Sequence, residues 1–290
     1  MANSTRPRTA VVTGASAGIG KAAAKALAAQ GWRVIGIGRD PTRSASAEAE
    51  IRSAARRAPF EMLRADLSLM SEAAGVAREI SARTDRIDAL LNNAGGVNNR
   101  LMMTTEGLEA TFAGNHLGHF VLTNRLLPLL RVTAAGAAPG AVRIVNVSSS
   151  GHDRSPGMDW NDLQRLKNFT TGGAYTNAKL ANILFTRALA KRLARDGIVA
   201  HAMHPGVVAS NFVSHAEEAM QQYMATLKLV PPEEAADTLV WLATAEEPGQ
   251  TSGGYYHQRK AVATSVPAQD DAAAERLWIE SEALVARIVA

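Results

Sequence analysis

Thr9-Ala10-Val11-Val12-Thr13-Gly14-Ala15-Ser16-Ala17-Gly18-Ile19-Gly20 starts as a short β-branched, apolar run, crosses three glycines and enters an alanine-rich stretch reaching about Gln30. The first five residues suit a strand buried on both faces of a parallel sheet, and the alanines suit a helix. Glycines between strand and helix permit a tight turn and let backbone N–H groups at the helix start approach a phosphate. The spacing Gly14-x3-Gly18-x-Gly20 differs from the commoner Gly-x-Gly-x2-Gly of dinucleotide-binding turns. An ordinary strand–helix turn is the bland alternative.

Working outward, the same alternation repeats. Trp32–Gly38 reads as a second strand, and it ends in Arg39-Asp40. An acid at that position accepts ribose hydroxyls, whereas an arginine accommodates a 2′-phosphate. Both are present, and Arg39 comes first with Arg43 nearby, which favours the phosphorylated ribose of NADP. An Ala/Arg helix over 43–57 leads to a third strand, Phe60–Ala65. Asp66 at its carboxyl end is a candidate for an adenine amine or for capping a helix that starts at Ser68. A fourth strand, Asp88–Leu91, runs into Asn92-Asn93-Ala94-Gly95-Gly96, where small residues allow close backbone approach. A mainly helical region over 105–130 places Asn115 in a helix interior, where asparagine is mildly unfavourable unless it has a hydrogen-bonding task. His116 and His119 read as core or surface histidines, since no third ligand cluster joins them to make a metal site.

A fifth strand, Ala141–Val147, ends in Ser148-Ser149-Ser150-Gly151, placing hydroxyls at a carboxyl edge. The polar segment from His152 to Gly173 reads as an excursion covering that edge. The next helix carries Tyr175 and Lys179 four residues apart, on one face. A fixed ammonium favours phenolate, so such a pair can act as a proton donor or acceptor. Gly197–Met203 is a sixth strand, followed by the turn His204-Pro205-Gly206. The apolar, Met-containing residues of 207–230 (Phe212, Met220, Tyr223, Met224, Leu227) suggest a lid for a lipophilic substrate, with a packed helix pair or subunit contact as the other reading. Pro231-Pro232-Glu233-Glu234 opens another helix. Gly253–His257 reads as a last strand and Asp270–Val289 as a closing helix. The expectation is one α/β domain over 9–290, a doubly wound parallel sheet flanked by helices.

Composition agrees. The 290 residues are 47% apolar and 20% charged, enough for one substantial core. With no cysteine, disulfides and thiolate chemistry are excluded. The net charge of +4 is scattered, and aromatics make up 5%, which argues against a nucleic-acid surface. No apolar run is long enough to span a membrane, and residues 1–8 are polar and basic. A cytoplasmic chain with a flexible tail over 1–8 is the expectation, with a homo-oligomer left open.

Taken together, Thr13-Gly14-x3-Gly18-Ile19-Gly20, Asn92-Asn93-Ala94-Gly95, Asn115, Ser149, Tyr175-x3-Lys179 and Pro205-Gly206 resemble the short-chain dehydrogenase/reductase family, with its Rossmann-type sheet. Asn115–Phe120, Ala174–Phe185, His204–Val208 and Arg276–Glu282 look closer still to its retinol-dehydrogenase-like branch. Ala178 departs from the serine often found there but leaves Tyr175 and Lys179 intact.

The resemblance implies that Ser149 hydrogen-bonds the substrate oxygen and Tyr175 exchanges its proton. It implies that Lys179 lowers the tyrosine's pKa and holds the nicotinamide ribose, while Asn115 holds a water linking Lys179 to solvent. Ser148 and Ser150 remain alternatives to Ser149. Gly14, Ser16, Gly18, Ile19 and Gly20 would then line the pyrophosphate side. Asp66, Leu67, Asn93, Ala94 and Gly95 would border adenosine, and Pro205, Gly206, Val208 and Ser210 the nicotinamide amide. Many NADP-using relatives carry a basic residue within the glycine turn; here Ala15-Ser16-Ala17 leaves Arg39 to favour NADP(H), with NAD(H) the alternative. The implied activity is hydride transfer between an alcohol and a carbonyl of a small lipophilic substrate. Its rivals are a non-catalytic nucleotide-sensing or scaffold protein, an NAD-preferring dehydrogenase, and a sugar-nucleotide epimerase or dehydratase, for which too few residues follow the Tyr175 helix.

Overall fold

The computed structural model describes residues 6–55, 59–208, 226 and 229–289. The strands β1 (Thr9–Thr13), β2 (Arg33–Gly38), β3 (Phe60–Arg64), β4 (Ala89–Asn92), β5 (Val142–Val147), β6 (Ile198–Met203), β7 (Tyr255–His257) and β8 (Lys260–Ala261) form one sheet. Their order is β3-β2-β1-β4-β5-β6-β7-β8. All pairings are parallel except β7 with β8. The chain therefore reverses its direction of winding between β1 and β4, which opens a crevice at their carboxyl ends, where such sheets bind ligands.

Side-chain alternation divides the core. Val11, Leu90 and Ile144 point into the face covered by α3 (Met70–Arg83), α4 (Gly118–Ala135), α5 (Thr171–Arg192) and α7 (Asp271–Ala286). Ala10, Val12, Leu91 and Val145 point into the face covered by α1 (Gly18–Ala29), α2 (Pro41–Ala54) and α6 (Pro232–Thr244). Strands buried on both faces explain why they read as unbroken apolar runs.

Several local expectations change. Residues 6–8, expected in a flexible tail, are tied to the domain: Arg33 N–H donates to Arg8 O at 2.9 Å, the Arg8 guanidinium stacks on Trp32, and Arg6 pairs with Asp85. Asp66 does not cap α3, which starts at Met70. The Glu106 carboxylate, from a distant loop, accepts Ser71 N–H at 3.0 Å and the Met70 N–H there instead. β8 follows β7 through Gln258 and Arg259, both at positive φ (48° and 60°), the backbone of a two-residue hairpin turn. No helix among the described residues is long and apolar enough to cross a membrane. Most of the expected lid over 207–230 lies outside the described residues, as does Ser210.

Candidate active site

The glycine turn leaves an anion-binding helix start. Gly14 and Gly18 have φ of +69° and +51°, which other residues adopt only at a cost. Ala17, the N-cap of α1, offers no side-chain acceptor, and no acid lies in the first turn, so protein side chains leave these N–H groups to a ligand. Gly20 permits close packing: a Cβ there would stand 2.3 Å from Gly14 O and 2.4 Å from Asn93 Nδ2. Ser16 and Ile19 are half-buried on the same turn. This uncapped, glycine-lined helix start fits the pyrophosphate of a dinucleotide.

At the end of β2 the two candidates for the ribose have different surroundings. Asp40 is the N-cap of α2 and accepts Arg43 N–H at 2.7 Å, which holds its carboxyl below the usual range. Arg39 is exposed and reaches Asp66 at 3.5 Å. The other Asp66 oxygen accepts Ser68 N–H and O–H at 2.9 and 2.7 Å. The Leu67 side chain belongs to the core, and its carbonyl packs against Gly118 of α4, where a Cβ would collide with it.

Thr13 organises the loop after β4. Its Oγ1 accepts N–H groups of Asn93 and Ala94, each at 2.8 Å, while Asn93 Nδ2 donates to Thr13 O at 2.8 Å. The Asn93 side chain thus braces the turn. Gly95 then passes against Asn115, whose Oδ1 would lie 2.3 Å from a Cβ at that glycine. Asn115 stands in a π turn, Ala113–Leu117, between a short helical turn (Ala110–Phe112) and α4. Its Nδ2 donates to Gly96 O and Thr111 O at 2.9 and 2.8 Å, and its buried Oδ1 has no protein partner.

Tyr175 and Lys179 do share one face of α5, which Thr170 caps. Tyr175 shares a hydrogen bond with Ser149, whose Oγ also accepts Gly151 N–H at 3.0 Å. Ser148 turns away and donates to Lys179 O at 2.7 Å, and Ser150 is exposed. Geometry therefore separates three serines that sequence left open. Lys179 is buried; its Nζ lies 5.5 Å from the Tyr175 ring centre and donates to Val147 O at 3.3 Å.

Burial pushes the tyrosine up to about 12, against smaller opposing effects of the Ser149 hydrogen bond and Arg154, and pulls the lysine down to about 8. The expected lowering of the tyrosine by Lys179 is not what this arrangement produces. The ammonium sits over the ring and faces a carbonyl, so desolvation dominates.

Beyond β6, Pro205 and Gly206 (φ +81°) form a turn, and Val208 bridges to Val230. Next to the Ser149 turn lies a group the sequence did not single out. His152 donates from Nδ1 to Ser149 O at 2.8 Å and accepts Ser265 N–H at 3.2 Å. Tyr255 packs edge-on against it, and His204 stacks on His257 with ring centres 3.9 Å apart. These residues come from four separate segments, so no spacing could reveal them.

The site therefore combines a phosphate-binding turn at the switch point with a Ser–Tyr–Lys group and an asparagine at neighbouring strand ends. The short chain dehydrogenase family model matches residues 8–221, and the chain belongs to that family of NAD(P)-dependent oxidoreductases. Within it the chain falls in the retinol-dehydrogenase-like branch. It is 35% identical to Homo sapiens retinol dehydrogenase 13 over 286 residues, 96% of this chain and 84% of the relative. It is 38% identical to Homo sapiens retinol dehydrogenase 12 over 269 residues, 92% of this chain and 83% of the relative. A solved Pseudomonas aeruginosa structure, an RhlG/NADP active-site complex, superposes with a TM-score of 0.69 at 27% identity, covering 87% of this chain and 94% of that one.

Proposed function

We propose that the chain interconverts an alcohol and a carbonyl on a small lipophilic substrate, prefers NADP(H), and uses Ser149, Tyr175, Lys179 and Asn115. The observation that carries this reading is the Tyr175–Ser149 hydrogen bond with Lys179 buried one turn away. A nicotinamide bound beside this group would supply or take up hydride at the substrate carbon. In reduction, Ser149 and Tyr175 bind the carbonyl oxygen, and Tyr175 transfers its hydroxyl proton to it. Lys179 holds the positive charge that offsets the phenolate left behind. Asn115 Oδ1, buried and without a protein partner near Lys179, would hold a water that returns a proton along the lysine.

Gly14, Ser16, Gly18, Ile19 and Gly20 would hold the pyrophosphate side, and Asp66, Leu67, Ala94 and Gly95 the adenosine side. Pro205, Gly206 and Val208 would meet the nicotinamide, and Ser210 belongs to the same proposal from sequence. NADP preference is supported by Asp40, whose carboxylate is engaged as a helix cap while Arg39 stays exposed. Exposed Leu101, Met102 and Met103, on the loop joining Gly96 to the Asn115 turn, support a lipophilic substrate. The test is oxidation of NADPH and NADH with a panel of aliphatic and polyene aldehydes and ketones. Turnover that survives Tyr175→Phe unchanged would sink the mechanism.

A further inference from the structure

His119 lies behind the site, in α4, with 2% of its surface exposed. Its two nitrogens face unlike partners. Nδ1 is 3.1 Å from Asn115 O, a carbonyl that can only accept, so Nδ1 carries the proton. The ring is neutral, because burial pulls its pKa down to about 4. Nε2 is then a bare acceptor 3.0 Å from Thr13 Oγ1, nearer than the other acceptor that hydroxyl can reach, Leu91 O at 3.3 Å, so the threonine proton goes to the imidazole. The same Thr13 oxygen accepts the N–H groups of Asn93 and Ala94. With its proton directed at His119, the threonine hydroxyl is fully used, and the chain of hydrogen bonds has one polarity. It runs from the loop after β4, through the end of β1 and the imidazole, to the Asn115 carbonyl.

The receiving carbonyl belongs to the π turn. A π turn widens the helix and disturbs the regular backbone ladder, and such turns gather at functional sites. His119 stands four residues beyond Asn115 and clamps that turn from the helix side, while Asn115 Nδ2 clamps it from the loop side at Gly96 O. Asn115 Oδ1 is left facing Gly95 and Lys179. A histidine that merely filled the core would need neither partner, and phenylalanine would serve as well.

We propose that His119 is a positioning residue: it locks the π turn so that Asn115 Oδ1 faces Lys179, and ties that turn through Thr13 to the phosphate-binding loop. The inference rests on the reading that Asn115 takes part in turnover. His119 is bonded to Asn115 and Thr13, and its effect on turnover runs through Asn115.

The test is a mutant cycle with kcat, KM, NADPH dissociation by fluorescence, and melting temperature measured on each protein. His119→Phe keeps a ring without nitrogens and should lower kcat by about 10- to 100-fold, with KM and NADPH affinity within about 3-fold. His119→Gln offers an amide donor and an acceptor at similar reach, and should recover kcat to within about 3-fold of the parent. Asn115→Ala combined with His119→Phe should be no slower than Asn115→Ala alone, because both act on one element. If His119→Phe does not fold, His119→Leu takes its place in the same cycle. A His119→Phe protein with parental kcat, a loss that adds in full to that of Asn115→Ala, or no recovery in His119→Gln overturns the proposal. Parental activity in Asn115→Ala overturns instead the role of Asn115 on which it rests.

Discussion

Ser148 and Ser149 are neighbours in sequence but hydrogen-bond to residues one helical turn apart: Ser148 holds the Lys179 carbonyl, and Ser149 meets the Tyr175 hydroxyl. The extended strand end makes this possible, since successive side chains leave it on opposite sides. The two serines should therefore separate stability from chemistry. Ser149→Ala should lower kcat about 100-fold with the melting temperature nearly unchanged, as expected when a donor to the reacting oxygen is lost. Ser148→Ala should cost about 1 kcal/mol in urea unfolding and leave kcat within about 3-fold. Reversed outcomes would assign the substrate oxygen to Ser148.

Lys179 and Tyr175 are shifted in opposite directions by burial, to about 8 and about 12. Reduction needs both protonated, so kcat/KM with a carbonyl substrate should hold at neutral pH and fall as pH rises through about 8, following the lysine of the free enzyme. Stability has the opposite sign. The lysine's folded pKa lies below its unfolded 10.5, so between about 8 and 10.5 the unfolded chain carries a proton the folded one has lost. Unfolding free energy should rise with pH across that window, and the penalty is fully present below it. Lys179→Met should thus be inactive yet more stable at pH 7, by about 1–3 kcal/mol, with the gain closing toward pH 10.5. Denaturant melts at several pH values check this; a less stable methionine variant at neutral pH contradicts it.

What the sequence revealed here follows physical range. The buried strands, the glycine turn and the Tyr175–Lys179 spacing depend on neighbours within a few residues, and periodicity reports them directly. The β7–β8 hairpin did not show because Gln258-Arg259 lacks the glycine or asparagine that usually marks such a turn. Its strain is held by distant groups: Arg259 N–H donates to Thr238 Oγ1 at 3.1 Å, and its guanidinium pairs with Asp237. Glu106 capping α3 and Ser265 N–H donating to His152 are likewise contacts across the fold. The raised pKa of Tyr175 escapes the sequence for a related reason. Spacing gives the nearness of an ammonium, but not which way it points or how dry its surroundings are.

Asp40 and Arg39 divide the work at the end of β2. Because Asp40 satisfies Arg43 N–H, Asp40→Ala should lower the melting temperature by a few degrees and leave the NADPH-to-NADH affinity ratio unchanged. Arg39→Ala should weaken NADPH binding by about 10-fold or more while NADH changes within about 2-fold, since only one of them carries the 2′-phosphate. Direct titration of each dinucleotide reads both effects. Equal losses for the two cofactors on Arg39→Ala would remove the arginine from the 2′-phosphate site.

His116 and His119 lie on the same buried stretch of helix, and both are kept neutral. His116 is packed among Phe112, Phe120 and Phe185 with its Nε2 2.9 Å from Ser281 Oγ, and burial pulls it down to about 3; His119 is pulled to about 4. Their unfolded pKa is near 6.5, so on acidification below that value the unfolded chain takes up protons that the folded chain refuses. Stability should fall as pH drops from about 6.5 toward 4, by about 1.4 kcal/mol per pH unit for each histidine. Urea midpoints at pH 7, 6 and 5 give the slope. Replacing either residue by one that does not titrate, His116→Phe or His119→Gln, should remove one histidine's share of it. The same two proteins separate the anchors of the Asn115 turn. His116→Phe breaks its link to α7 through Ser281, whereas His119→Gln keeps both ends of the Thr13–Asn115 connection. Loss of kcat in His116→Phe with parental kcat in His119→Gln would show that the closing helix also helps to seat that turn.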